Sequence, residues 1–321
     1  MELGFGQRGK NIVAVGGALM RQQRGVALIT AILIVALVAS AASYLAMQNH
    51  VRIQQLENLR ARAQAELLAR AAVDWGRAVL ADDISRSGID DLSEQWATIV
   101  PPQTTDGGRV GGRLFDQQAL FNLNNLIWAG AAYPADVARF RRLLSQQQLP
   151  PELANALVDW LDNDSVVTYP GGAEDGEYLQ HEPAYRTANR MLTDVNELYA
   201  VRGFTSQVIA RLRPFVTALP DRSAVNVNTA PAEVLNAVLD NNSDVPTLLA
   251  ARQSKPLQSG QDLAARFPNL AAQASENSLD YGSHYFLADS QAEYDSARVH
   301  LQALLQRNGL GWPIVLWYRE Q

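Results

Sequence analysis

The chain contains no cysteine. Disulfides, thiolate metal sites and cysteine nucleophiles are therefore excluded, and any stapling of loops falls to packing or to a metal held by oxygen. Lysine is nearly absent too, with Lys255 the single example beyond the first 25 residues. Over 321 residues the formal net charge is −6; the first 25 residues, with Arg8, Lys10, Arg21 and Arg24 against Glu2, contribute +3 and leave −9 on the remainder. So acidic a body lacks the basic footprint that nucleic acid requires of a partner, and it suits bound divalent cations. Histidine is limited to His50, His181, His284 and His300, no two at metal-ligand spacing, and no G-x-S-x-G nucleophile motif accompanies them. Apolar residues at 47% and charged residues at 19% are the proportions of a globular chain, long enough for a membrane helix plus one large or two modest domains.

Charge is missing altogether from residues 26–51. The helix from Val26 to Met47 would be about 33 Å long, against a hydrocarbon core of about 30 Å. Arg21 and Arg24 precede it, which places the N-terminus in the cytoplasm. Three readings compete: a secretory signal cut near the AAS at 41–43, a plain signal anchor, or a leader cut before the apolar run. RQQRG followed by VALITAILIVAL resembles a prepilin peptidase site, with the cut between Gly25 and Val26 and the apolar helix retained. Met20 is an alternative start. Pilins usually carry glutamate at the fifth mature position, where this chain has Thr30; that departure suggests a minor subunit at a filament tip.

Beyond the apolar run the helix is expected to continue to about Leu80, with Leu68, Ala72, Trp75 and Val79 on its packing face. PPQTTDGGRVGG (101–112) has the chemistry of a loop, and RLFDQQALFNLN (113–124) that of a strand pair or a strand with a turn. Residues 135–161 are expected to be helical, broken at the two prolines before PELANALVDWL. Residues 162–190 form an acidic, glycine-rich loop, and 193–216 a helix–turn–helix with an N-cap around Thr193 and a stop at Gly203. SAVNVNTA (223–230) alternates as a strand, PAEVLNAVL opens a helix, and 284–306 and 312–320 are strands.

GFGQRG (4–9) matches a dinucleotide-binding motif and, extended to GFGQRGKN, nearly matches a phosphate loop. Neither follows a strand, which the mechanism requires, and both fall in the leader. Of a helix-hairpin-helix DNA-binding unit, the helical segments around 193–216 and 231–250 match only Gly203 with Arg202, Arg211 and Arg213, beside an acidic loop, and structural packing is the better reading. The informative stretch is VDWLDNDSVVTYPGGAEDGEYL (158–179), with Asp159, Asp162, Asp164, Glu174, Asp175 and Glu177. Carboxylates beyond a helix C-terminus face the unfavourable end of its dipole, and such a loop supplies the oxygen ligands calcium takes. A solvated acidic loop explains the charges equally. An EF-hand does not fit: counting from Asp162, position six is Val167 and Glu174 falls at thirteen. Paired carboxylates also occur in glycosidases, but no aromatic sugar groove lies nearby.

Together, RGVALITAILIVALV (24–38), DWLDND…GAEDGEY (159–178), MLTDVNEL (191–198) and VNVNTAPAEVL (225–235) resemble the K-type minor pseudopilins of type II secretion systems. The resemblance implies an α+β fold: a pilin-like long N-terminal helix packed on a small antiparallel sheet, interrupted by a large α-helical insertion. It divides the chain into a leader (1–25), a transmembrane helix (26–50), pilin-like parts (51–124 and 219–321) and the insertion (125–218). It implies calcium on Asp162, Asp164, Glu174 and Asp175, with Asp159, Glu177 and Asn189 as further ligands. It also implies a tip subunit, not an enzyme, in complex with I-type and J-type minor pseudopilins. The prepilin peptidase would process it, with its helix in the inner membrane and its soluble part in the periplasm. The alternative is a membrane-anchored periplasmic hydrolase or binding protein using the same loop for a metal.

Overall fold

The computed structural model describes residues 16–105, 107–240, 243–274, 278–309 and 311–321, with side chains from Gly25 onward. The glycine motifs at 4–11 lie outside the described residues. The chain divides into two units, residues 1–61 and 62–321, although one helix, α1 (Gly16–Arg86), runs through the division.

In the first unit, α1 carries the one described segment long and apolar enough to cross a membrane, with a mean hydropathy of 2.6. Its apolar side chains from Val26 to Met47 are exposed. Thr30 needs no partner, because its hydroxyl donates to the Val26 and Ala27 carbonyls of its own helix (3.1 and 3.0 Å).

In the second unit α1 continues past Leu80 to Arg86, and its buried face is not the expected one. Of that face only Val79 is buried; Ala65, Ala69, Val73 and Leu80 are buried with it, whereas Leu68 and Ala72 are half-buried and Trp75 is exposed. Alanines let a sheet approach closely; weighting by side-chain size picks the neighbouring stripe instead. Against this face lies an antiparallel sheet of five strands in the order β1 (Val100–Thr105), β2 (Gly108–Asp116), β3 (Tyr285–Tyr294), β4 (Ala297–Gln306) and β5 (Ile314–Glu320). Trp96 meets Phe286 edge to face, centroids 5.1 Å apart, inside this core.

The loop expected over 101–112 is instead a hairpin, β1–β2. Its prolines sit on an edge strand beside a register shift between Val100 and Gln103, where a missing donor is tolerated. Gly112 serves close approach and not a turn: a Cβ there would lie 2.7 Å from the Asp289 carbonyl. The expected strand over 284–306 is likewise a hairpin, turning at Asp295 with φ +51°.

β2 and β3 pair as neighbours, Asp116 opposite Phe286. Between them the chain builds a second core, from Phe121 through α2 (Pro134–Gln146) and α3 (Leu153–Leu161) to Leu270, with Leu279 and Tyr281 at its margin. The packing therefore carries the insertion well past residue 218, and the sheet resumes only at β3. The reason is local. VNVN looks like strand, yet only Val225–Asn226 pairs, in parallel with Leu279–Asp280 inside the helical layer.

The expected helix–turn–helix is a 3-10 segment (Val195–Ala200) and a short helix (Ser206–Leu212), separated at Gly203 with φ +83°. The cap is Asp194, whose side chain accepts from the Asn196 amide (2.7 Å) and also pairs with Arg319 of β5. Asp194→Ala is expected to cost about 1–2 kcal/mol, most of it the lost cap; chemical denaturation of the purified protein measures it.

Candidate metal centre

α3 is buried along its whole length and ends at Asp162, which turns to extended backbone (φ −74°, ψ 176°) and stops the helical ladder. Asp159 projects from the last turn. Its two oxygens accept from the Thr168 amide (3.2 and 3.0 Å), which folds the following loop back over the helix end. Asp164 accepts from the Val166 amide (2.7 Å) and tightens the first bend. The return is packed so closely at Gly172 that a Cβ would lie 2.2 Å from Asp159 Oδ2 and 2.4 Å from the Thr168 carbonyl. Glu174 follows, just ahead of a single helical turn (Asp175–Tyr178). Buried Tyr178 anchors that turn against Trp160 and Tyr185, centroids 5.1 and 5.3 Å away, and its hydroxyl accepts from the Arg202 amide (3.2 Å).

These constraints bring Asp162, Asp164 and Glu174 together, with one carboxylate oxygen from each within 4.8 Å of the others. Asp162 and Glu174 are buried. Asp162 Oδ1 and both Glu174 oxygens have no hydrogen-bond partner, a costly state for buried acceptors. No ion pair reaches Asp159, Asp162, Asp164 or Glu174 among the described residues. Asp175 and Glu177, also expected as ligands, make contacts outside the cluster. Asp175 accepts from Arg186 (2.7 Å) and from the Thr187 amide and hydroxyl (3.1 and 3.0 Å). Glu177 pairs with Arg202 at 3.6 Å. Asn189 adopts φ +45° and its backbone N–H donates to the Trp160 carbonyl (3.0 Å). Sequence reasoning missed Thr168 and Gly172; the Gly-Gly pair inside an acidic loop was the available signal. It also missed a second carboxylate group, Asp83, Asp90 and Glu94, spread along a helix end and the segment after it.

The electrostatics match the geometry. Burial, reinforced by Asp164 and Asp159, pushes the Asp162 carboxyl up to about 6. Burial, reinforced by Asp159, Asp162 and Asp164, pushes Glu174 up to about 7. A carboxyl with a raised folded pKa holds its proton more tightly folded than unfolded. It therefore favours the fold below its unfolded pKa and loses that contribution as pH rises through the folded one. Protein kept in chelator is therefore expected to lose stability steadily as pH rises from about 4 to about 8; denaturant titrations across that range check it. The donor set is all oxygen, which suits a hard cation. Oxygens within 4.8 Å of one another are close enough to converge on one such cation, which takes its ligands at about 2.4 Å. The residues present thus fit calcium.

Residues 119–221 and 225–280 match two family models, each described as Type II secretion system (T2SS), protein K. The chain is 34% identical to the type II secretion system protein K of Pseudomonas aeruginosa over 301 residues, covering 90% of each. It is 31% identical to that of Aeromonas hydrophila, covering 89% of this chain and 94% of the relative. Among solved structures it resembles a chain of the GspK-GspI-GspJ complex from enterotoxigenic Escherichia coli. The TM-score is 0.70 at 25% identity, over 85% of this chain and 99% of the other. With two family models side by side on the helical core that carries the carboxylates, and a relative one-third identical along nine-tenths of both chains, the chain belongs to the type II secretion system protein K family.

Proposed function

We propose that this minor pseudopilin caps the tip of a type II secretion pseudopilus, in complex with I-type and J-type partners, and supports protein export across the outer membrane. The observation that carries the reading is the helical insertion between β2 and β3. It adds a second hydrophobic core beside the sheet, a bulk that a close-packed helical stack of subunits has no room to repeat. The relative solved as a complex with GspI and GspJ supports the choice of partners. The prepilin peptidase cuts between Gly25 and Val26. The apolar helix then holds the subunit in the inner membrane with its soluble part in the periplasm. Calcium sits on Asp162, Asp164 and Glu174, with Asp159 shaping the loop behind them. When bound, it neutralises the carboxylates and ties the end of α3 to the returning loop.

N-terminal sequencing of the mature protein tests the anchor: a methylated Val26 terminus is expected, and cleavage after Ser43 would overturn it. Labelled subunits on purified assemblies test the cap. One terminal copy is expected, and copies along the shaft would sink the idea.

A further inference from the structure

A second group of three carboxylates lies outside the insertion, where the last turn of α1 approaches the sheet. Asp83 stands in that turn, Asp90 and Glu94 in the segment after it, and one oxygen from each lies within 4.8 Å of the others. Asp90 is 1% exposed. Its Oδ2 accepts from the Ser283 amide (2.6 Å) and from the Arg307 guanidinium. Its Oδ1 is buried and accepts nothing. Arg307, also buried, reaches Asp83 at 3.1 Å. Glu94 is engaged through Oε2 alone, which accepts from the Asp91 amide (3.0 Å) and from Trp96 Nε1 (2.8 Å). Three carboxylates thus face one guanidinium, leaving two formal negative charges. A buried acceptor without a partner, inside a pocket of that charge, is what a divalent cation would satisfy.

We propose that Asp83, Asp90 and Glu94 hold a second hard divalent cation of the calcium type, separate from the centre in the insertion. All donors are oxygens, and they lie close enough together to converge on one such cation. Arg307 closes one side, so water completes the coordination. The ion pins the end of α1 to the segment leading into the sheet. Through Ser283 and Arg307 it also meets the chain just before β3 and just after β4, where the insertion rejoins the sheet.

Terbium luminescence and calcium calorimetry on the full chain in detergent test the site. Trp96, bonded to Glu94, is placed to sensitise a terbium ion there. An Asp162→Asn/Glu174→Gln variant is expected to retain one ion, and adding Glu94→Gln to weaken its binding at least tenfold. If the double variant folds by circular dichroism yet binds neither terbium nor calcium, the second site does not exist. If the double variant does not fold, Glu94→Gln in the otherwise native chain decides: one calcium fewer is expected, with hydrogen exchange over 162–190 unchanged. Unaltered stoichiometry would overturn the site while leaving the insertion's centre standing. An ion retained by the double variant and lost with Glu94→Gln would support it even if the insertion's centre proved empty.

Discussion

Removing calcium with a chelator at pH 7.5 should lower the melting temperature of the detergent-solubilised protein by about 10 °C. The figure follows from linkage. A ligand present at about a thousand times its dissociation constant stabilises the fold by about 4 kcal/mol, and a body of this size gives about 2–4 °C per kcal/mol. The physical source is the cluster itself. Asp162 and Glu174 keep three buried oxygens without partners, and the arginines nearby, Arg186 and Arg202, are paired with Asp175 and Glu177 instead. Stripped of a cation, the loop carries mutual repulsion that no ion pair among the described residues relieves. Hydrogen exchange should rise over 162–175. A melting temperature indifferent to chelation and to added calcium would remove the metal from the account.

Gly172→Ala should be nearly as damaging. A Cβ at 172 would lie 2.2 Å from Asp159 Oδ2, and 2.4 and 2.9 Å from the carbonyl and amide of Thr168. Backbone atoms cannot rotate out of the way, so the loop must move as a whole. Overpacking of this kind costs about 3 kcal/mol, or about 6–12 °C in melting temperature. The movement breaks the Asp159–Thr168 contact, which holds the loop over the helix end, and so displaces Glu174. Calcium affinity should therefore fall at least tenfold, which calorimetry would show. Gly176→Ala is the control: no atom lies within 4 Å of its Cβ position. Equal effects at 172 and 176 would mean that the crowding at Asp159 is not the cause.

The apolar helix and the acidic loop were legible because each is written in charge: none over 26–51, and six carboxylates over 159–177. Which carboxylates converge was not legible. Asp175 and Asp164 look alike in sequence, and only folding brings Arg186 and Thr187 to one of them. The first hairpin was hidden for a related reason. Proline and glycine there serve an edge strand and a close strand crossing, but in a sequence they are turn residues. The buried face of α1 was missed by one position, because alanine and glycine at a tight helix–sheet contact carry little hydrophobic signal. The extent of the insertion was underestimated because helices Val245–Ser254, Gly260–Arg266 and Pro268–Gln273 are short and weakly patterned.

β2 and β3 amount to a hairpin whose turn has been replaced by a domain, and this sets an order for folding. Pairing Asp116 with Phe286 in an unfolded chain means closing a loop of the whole insertion, which costs about 3 kcal/mol more than closing a four-residue turn. Once the helical core has formed, the chain leaves it at Phe121 and rejoins the sheet at Tyr285 with both ends already held, and the pairing becomes local. Amides of α2 and α3 should therefore gain exchange protection before those of β2 and β3 when refolding is followed by pulse labelling. The sheet would then be the last part to assemble, even though it is the part the chain enters first.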